Sequence, residues 1–395
     1  MLDKTNQLQP VWLDETSCDL AIFKDHIAQQ SLRENYSLAT DIISNVPVYD
    51  GDDMRRAMHN DTTSREVMAE WNRVFQSGPG IIVVRRGYAD SALIDDVTAA
   101  LCTIIEQEEA AGVGTGDHFA TAGANSRIWN SHEKLCMQSP SLFAQYNSNE
   151  LIRRISESWL GTGYQMTCQV NVVRPGGKAQ TAHRDYHMGF QSKDTLERFP
   201  ASQHALSAAL TLQGAVAHTD MPVLSGPTKL LPYSQSYLPG YIAVLLPEFR
   251  DVFESSFVQV PLDKGDLLFF NPATFHAAGD NRTTDIQRMA NLMQIGSTYG
   301  RSIEIVDRSR ITCAVFNDLK QLLADEVLSA READNVIAAT AEGYPFPANL
   351  DIDSPLSGMA PPSQQDILRQ ALEQSWSLDR LKNEVYEQNA RKRSH

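Results

Sequence analysis

The stretch Arg174-Pro-Gly-Gly-Lys-Ala-Gln-Thr-Ala-His183-Arg-Asp185-Tyr-His187 decides how this chain is read. Its Pro-Gly-Gly turn ends one extended run and leads into His183-x-Asp185. Side chains of an extended segment alternate with period two, so His183 and Asp185 stand on one face. An imidazole and a carboxylate side by side suit two neighbouring positions on an octahedral metal. A third ligand from a distant strand would complete a triangular face and leave the opposite face open. Histidine is scarce, ten in all, so two within five residues draw notice. Even so, His-x-Asp alone is common by chance, and the surrounding chain must supply the context.

From about residue 164 to 300 the sequence has the texture of short strands. Tyr164–Val173, Ala205–Leu212, Phe257–Val260, Asp266–Phe270 and Met289–Ser297 are the expected ones, separated by turns such as Ser225-Gly-Pro227. Many short strands must close or pair their edges, which points to a sandwich or barrel. Upstream, the β-branched run Gly80-Ile-Ile-Val-Val-Arg85 reads as a strand. A helix capped by Asp90 or Ser91 follows it, with Leu93, Ile94, Val97, Leu101, Ile104 and Ile105 at helical spacing. Leu151, Ile152, Ile155 and Trp159 mark a helix over 151–160, while residues 1–75 read as helical and irregular. After about 310 the pattern is helical again, through Val315–Val327, a proline-bearing linker over 345–362, and an amphipathic helix near 364–390. These last helices are expected to cover the β-core, with dimerisation as the alternative. The expected division is an extension over 1–77, a β-domain over 78–305 and a helical extension over 306–395.

Two downstream residues give His-x-Asp its context. His276 lies 93 residues after His183, behind the apolar run Gly265–Phe270 and the turn Asn271-Pro-Ala-Thr274. Twelve residues later Arg288 opens the strand Arg288-Met-Ala-Asn-Leu-Met-Gln-Ile295. Two histidines and one carboxylate form the facial triad of non-haem Fe(II) oxygenases. A guanidinium at a strand head suits the distal carboxylate of a 2-oxoacid co-substrate.

At this point the chain resembles the phytanoyl-CoA dioxygenase-like branch of the Fe(II)/2-oxoglutarate oxygenases over roughly residues 78–300. The resemblance rests on the Gly80–Gly87 strand followed by a helix and on the Arg-Pro-Gly-Gly turn into His183-Arg-Asp185. It also rests on the loop Ser225-Gly-Pro-Thr-Lys-Leu-Leu-Pro-Tyr-Ser-Gln235 and on the block His276-Ala-Ala-Gly-Asp-Asn281…Arg288. It departs from the family pattern at Ser225, at Tyr233-Ser-Gln235 and in a His-to-Arg spacing one residue longer than usual, which keeps Arg282 open as a competing anchor. The resemblance implies a double-stranded β-helix of jelly-roll or cupin-like type with helical flanks. It implies Fe(II) on His183, Asp185 and His276, 2-oxoglutarate anchored by Arg288, and O2 as oxidant. The implied reaction hydroxylates, desaturates or cyclises a small organic molecule while 2-oxoglutarate becomes succinate and CO2. Related halogenases carry a small residue where Asp185 stands, so the carboxylate favours hydroxylase-type chemistry.

Within that reading Gln169 and Asn171 alternate against Val170 and Val172. Facing inward, they would hydrogen-bond the 2-oxoglutarate carboxylate near the metal; facing outward, they are a solvated polar face. Arg184 and Tyr186 are expected to point away from the ligand pair, and His187 to serve structure or line the substrate. His218 reads as a hydrogen-bonded, partly buried histidine. Trp129 and His132 are placed either at the substrate mouth or in the core, with the core favoured for Trp129.

Composition limits the partners. The 395 residues carry 49 Asp+Glu against 34 Lys+Arg, a net charge of −15 that repels phosphate backbones, so nucleic acid is not an expected partner. The basic run Arg391-Lys-Arg393 reads as a solvated tail. Cys18, Cys102, Cys136, Cys168 and Cys313 are scattered, with no C-x-x-C pair, so neither a disulfide framework nor a thiolate zinc site is indicated. No signal pattern or long apolar window appears, which makes the cytoplasm the expected compartment and excludes a membrane span from the reading. Two alternatives stay open: a cupin-like metalloenzyme that does not use 2-oxoglutarate, and a non-catalytic binding protein on the same fold.

Overall fold

The computed structural model describes residues 10–112, 125–352 and 360–394. Its strands are β1 (Asp41–Ile43), β2 (Val46–Asp50), β3 (Ile81–Arg85), β4 (Asn125–Ile128), β5 (Gln165–Val173), β6 (Thr211–Ala217), β7 (Lys229–Leu230), β8 (Leu267–Phe270), β9 (His276–Ala277) and β10 (Arg288–Gly296). Eight of them form one large sheet in the order β1-β2-β3-β8-β6-β10-β5-β4. The pairs are antiparallel except β2 with β3.

The facing layer is small. β7 pairs with β9, Lys229 opposite Ala277 and Leu230 opposite His276. Single bridges extend this ladder on both sides, from His276 to His183 and from Leu230 to Val258. At one end the two layers close on an apolar cluster in which Ile81, Val83, Ala215 and Phe270 of the sheet meet Leu230, Val260 and Leu262. This is the jelly-roll core of a double-stranded β-helix, with helices around it.

Strand alternation divides the large sheet into a helical side and a cavity side. Val170 and Val172, Leu212 and Val216, Leu267 and Phe269, and Met289 and Met293 all enter the main hydrophobic cluster on one side. Helices cover that side, and Trp71, Phe75, Val97, Ile155, Phe316 and Leu368 belong to the same cluster. The in-between residues Gln169, Gln213, Leu268 and Arg288 face the other way and line a cavity.

The helix capped by Asp90 runs over Ser91–Ala110, and the expected 151–160 helix over Glu150–Leu160. The C-terminal pattern resolves into two helices, Gln364–Glu373 and Leu378–Arg391, whose Ile367, Leu368, Leu381 and Val385 are buried in the main cluster. Part of the proline-bearing linker, 353–359, lies outside the described residues.

Three expectations fail. Phe257–Val260, expected as a strand, makes only the single bridge from Val258 to Leu230. Residues Ala201–Ala209 are helix, not the first part of a strand, because the Ala-rich stretch has high helix propensity; β6 starts only at Thr211. Within 1–75, read as helical and irregular, β1 and β2 add an edge to the large sheet. Their short runs are too brief for a periodicity signal, and Pro47 of β2 is tolerated because it stands opposite Ile42 of β1 and outside the β3 pairing, which begins at Val48.

Two histidines on the helical side are buried and neutral. His218 shares hydrogen bonds with Thr98 Oγ1 at 2.8 Å and Tyr146 Oη at 2.9 Å, as expected of a satisfied core histidine. His132 bonds the Ala339 carbonyl at 2.9 Å through Nε2, so it packs in the core, not at the substrate mouth. Burial pushes His218 down to about 4 and His132 down to about 3. The unfolded chain therefore takes up protons that the native chain excludes. Their contribution to stability is complete above the ordinary imidazole value near 6.5 and is lost as pH falls from there toward 4. The urea midpoint should drop on acidification through this window. His218→Gln should remove about one proton from the difference, ~1.4 kcal/mol per pH unit of slope. An unchanged slope in that variant would refute the burial of a neutral His218.

Candidate metal centre

After β5 the chain turns through Gly176, whose φ of +82° suits glycine, and its N–H donates to the Asn281 carbonyl at 2.8 Å. It then runs antiparallel to the segment around His276. His183 N–H donates to the His276 carbonyl at 3.0 Å and His276 N–H to the His183 carbonyl at 3.1 Å, while Asp185 N–H reaches the Pro272 carbonyl at 3.0 Å. The two imidazoles therefore lie across from each other, ring centroids 4.4 Å apart.

Each ring is oriented by its own backbone. His183 Nδ1 bonds the Thr181 carbonyl and His276 Nδ1 the Thr274 carbonyl, both at 2.8 Å. A carbonyl accepts only, so both Nδ1 atoms carry hydrogen and both Nε2 lone pairs are left for a ligand. Asp185 enters the same space, with Oδ2 3.3 Å from His276 Nε2 and Oδ1 3.6 Å from His183 Nε2. The three donor atoms lie within 4.8 Å of one another.

The charge states suit a cation. Burial would raise the Asp185 carboxyl, yet His183, His276 and a hydrogen bond from Gln213 outweigh it and hold it well below the ordinary carboxylate range. Burial, then the neighbouring His276, lowers His183 below its usual value. An ionised carboxylate and a neutral imidazole are the forms that ligate a metal. Phe270 stands edge-on to His276, centroids 4.8 Å apart, and makes an apolar wall.

Gln213 is the residue that sequence reasoning missed. On the cavity face of β6, its Nε2 donates to Asp185 Oδ2 at 2.6 Å. Its signal is an amide side chain set, with Thr211, on one face of the otherwise apolar strand Thr211-Leu-Gln-Gly-Ala-Val-Ala217, visible only once the strand has the correct boundaries.

Gln169 and Asn171 point into the cavity and not to solvent. Arg127, on β4, donates to Gln169 Oε1 at 3.4 Å and stacks over Trp129, which lines the cavity and so is not a core residue. Arg288 is 6 % exposed and lines the same cavity, whereas Arg282 is exposed. The Arg288 guanidinium donates to the Ser225 carbonyl at 3.0 Å and, weakly, to Gly279 at 3.4 Å, and burial draws it down to about 10. It has no carboxylate partner among the described residues. Arg184 points away from the ligands as expected, donating to the carbonyls of Ser234 at 2.5 Å and Tyr237 at 2.9 Å. Tyr186 does not: at φ +57° the chain leaves the extended conformation and turns this ring into the cavity, its hydroxyl 3.5 Å from Gln213 Nε2. His187 is half-buried beside a smaller side pocket and is not one of the three clustered donors.

The cavity has a volume of about 460 Å³ and holds the donor cluster on one wall and Arg288 on another. Apolar groups such as Leu268, Phe270, Ala290 and Leu292 make up much of the remainder.

A family model described as Phytanoyl-CoA dioxygenase (PhyH) matches residues 78–290. Comparison with curated proteins gives no match. Similar solved structures include the non-heme α-ketoglutarate-dependent epimerase SnoN from nogalamycin biosynthesis. It is 19 % identical over 59 % of this chain and 84 % of its own, with a TM-score of 0.39. The carbocyclase SnoK from the same biosynthesis is 20 % identical over 60 % of this chain and 86 % of its own, with a TM-score of 0.41.

Gln213 fixes the orientation of Asp185, and loss of such a contact ordinarily weakens metal binding about 10- to 100-fold. Gln213→Leu should therefore lower divalent-metal affinity by that order while the fold is kept. Anaerobic Co(II) titration, read on the visible d–d bands, measures it; equal affinity in the two proteins would sink the role given to Gln213.

Proposed function

Since this chain belongs to the phytanoyl-CoA dioxygenase family and is an iron- and 2-oxoglutarate-dependent enzyme of the oxygenase type, we propose that His183, Asp185 and His276 hold its Fe(II). The observation that carries this reading is the convergence of two Nε2 atoms and one carboxylate within 4.8 Å, with both Nδ1 atoms tied to backbone carbonyls. Three protein ligands leave the remaining coordination positions to co-substrate and O2.

We assign 2-oxoglutarate to the same cavity. Arg288 would take its distal carboxylate, since a buried guanidinium without an acidic partner is a poor structural element and a good anion receptor. Gln169 and Asn171 would donate to the carboxylate nearer the metal through their side-chain amide N–H groups, since an amide oxygen accepts only. Bound iron with 2-oxoglutarate supplies the activation of O2, coupled to loss of CO2 and formation of succinate, that removes hydrogen from a substrate carbon.

The chain's own groups position and shield. Gln213 holds Asp185, the Thr181 and Thr274 carbonyls hold the imidazoles, and Phe270 with the aliphatic wall keeps water from the reacting face. A cavity of about 460 Å³ suits a small organic substrate. The expected outcome is a hydroxylated product, with desaturation or cyclisation open to the same hydrogen abstraction. Residues 78–305 serve as the catalytic unit in this reading, and 1–77 and 306–395 as extensions. We take the cytoplasm as its compartment; among the described residues no helix is long and apolar enough to cross a membrane. The net charge of −15 supports a partner other than nucleic acid.

Anaerobic addition of Fe(II) and 2-oxoglutarate should produce a weak visible charge-transfer band that is lost in His183→Ala. A folded, iron-loaded protein without the band would refute the assignment. Hydrogen bonds to a charged group contribute ~1.5–3 kcal/mol, so Arg288→Ala should weaken 2-oxoglutarate roughly 10- to 100-fold in a titration of that band. Arg282→Ala should leave it unchanged; the reverse result would move the anchor to Arg282.

A further inference from the structure

A second, smaller cavity of about 160 Å³ adjoins the first. The two share Tyr186, Phe190, Gln191, Gln294 and Ile303 as lining, so they are compartments of one space. Polar atoms that lack partners gather in the smaller one. Thr211 Oγ1, Gln294 Oε1 and His187 Nε2 are each buried with no hydrogen bond. Thr211 is 5 % exposed and Gln294 8 %. A buried polar group left unmade costs about 1–3 kcal/mol, and folded proteins tolerate few of them. Three around one pocket therefore point to a ligand that supplies what is missing.

Register sets this pocket beside the metal centre. Gln294 of β10 is paired directly with Gln213 of β6, whose amide holds Asp185. Directly opposed side chains of an antiparallel pair stand about 4.5–5.5 Å apart at Cβ. On the other side the backbone is bent towards the pocket, with Tyr186 at φ +57° and His187 at φ +47° immediately after Asp185. Such conformations cost on the order of 1–3 kcal/mol each in non-glycine residues and gather at ligand sites.

We propose that this compartment is a substrate subsite for a hydroxyl-bearing group, such as a hydroxylated ring or short polyol, presented next to the iron. The proposal rests on the oxygenase reading above and names the substrate class for that same site. The unpartnered Gln294 oxygen accepts only and so requires a donor, which a hydroxyl has and a carboxylate lacks. The Thr211 hydroxyl and His187 Nε2 meet the oxygen lone pairs or hydrogens of the same group. Arg301 at the rim disfavours an amine. At ~10–15 Å³ for each water-sized site, the compartment takes a group of several heavy atoms, more than a single hydroxyl. Phe190 and Ile303 at the junction offer an apolar passage for the rest of the molecule.

The test is saturation-transfer NMR on the full chain loaded with Zn(II) and 2-oxoglutarate, using cis-1,2-cyclohexanediol and cyclohexanecarboxylate as matched probes. The diol should bind, and Gln294→Leu and Thr211→Val should each weaken it at least fivefold. Because these changes remove unpaired polar atoms at nearly constant shape, both variants should melt at or above the wild-type temperature. No diol binding, binding untouched by either variant, or a carboxylate that binds more tightly than the diol would overturn the proposal. So would lower melting temperatures in both variants, which would mark the two side chains as structural. Failure of the oxygenase reading appears separately: the charge-transfer band would be missing while the diol still bound.

Discussion

Everything at this centre depends on one pair of backbone hydrogen bonds. His183 and His276 exchange N–H and C=O at 3.0 and 3.1 Å, across a bridge between two segments 93 residues apart in sequence. That exchange fixes the register of the small layer, and a slip of either segment by one residue would turn its imidazole to the opposite face. It also sets the rings 4.4 Å apart, close enough to share one cation and too close for both to be charged comfortably. The lowered proton affinity of His183 follows from burial and from this closeness. Geometry and charge state thus come from the same contact.

The large sheet makes that contact useful. Its alternation sends one set of side chains into a helix-covered hydrophobic cluster, which supplies rigidity, and the other set into the cavity. Helix accounts for about 48 % of the described residues and strand for about 15 %, so most of them serve as support for a small β-core. A site held by rigid strands keeps its side chains placed more closely than one held by loops, and here Gln169, Asn171, Gln213, Gln294 and Arg288 all project from strands of the sheet.

The sequence made part of this plain. His183, Asp185, His276 and Arg288 are visible because each belongs to a short local pattern: a same-face pair, a histidine after an apolar strand, an arginine at a strand head. The strands β3, β5, β8 and β10 were equally visible as β-branched and apolar runs between turns. Gln213 was not, because its meaning lies in a contact with Asp185 from a strand 28 residues on. The Ala-rich helix before β6 also shifted the expected boundary and hid the alternation that isolates it. Tyr186 was misplaced for a related reason. Period-two logic holds only while the chain stays extended, and its φ of +57° ends that one residue after the ligand.

Two buried arginines show how the same side chain serves different ends. Arg184 lies between the rings of Tyr241 and Phe275, 5.0 and 5.2 Å from their centroids, and one of its nitrogens meets the carbonyls of Ser234 and Tyr237. Its charge is delocalised over aromatic faces and backbone dipoles, and it ties the 234–237 turn to the ligand strand. Arg288 is as deeply buried, and burial lowers both to about 10, yet Arg288 has one good carbonyl contact and opens onto a cavity. A guanidinium offers five N–H donors, and a protein that needed only packing there would have no reason to bury that charge with so few acceptors. In the proposed reading, the shortfall of acceptors at Arg288, beside three converging candidate metal donors, is what marks it as an anion receptor and Arg184 as a structural cation.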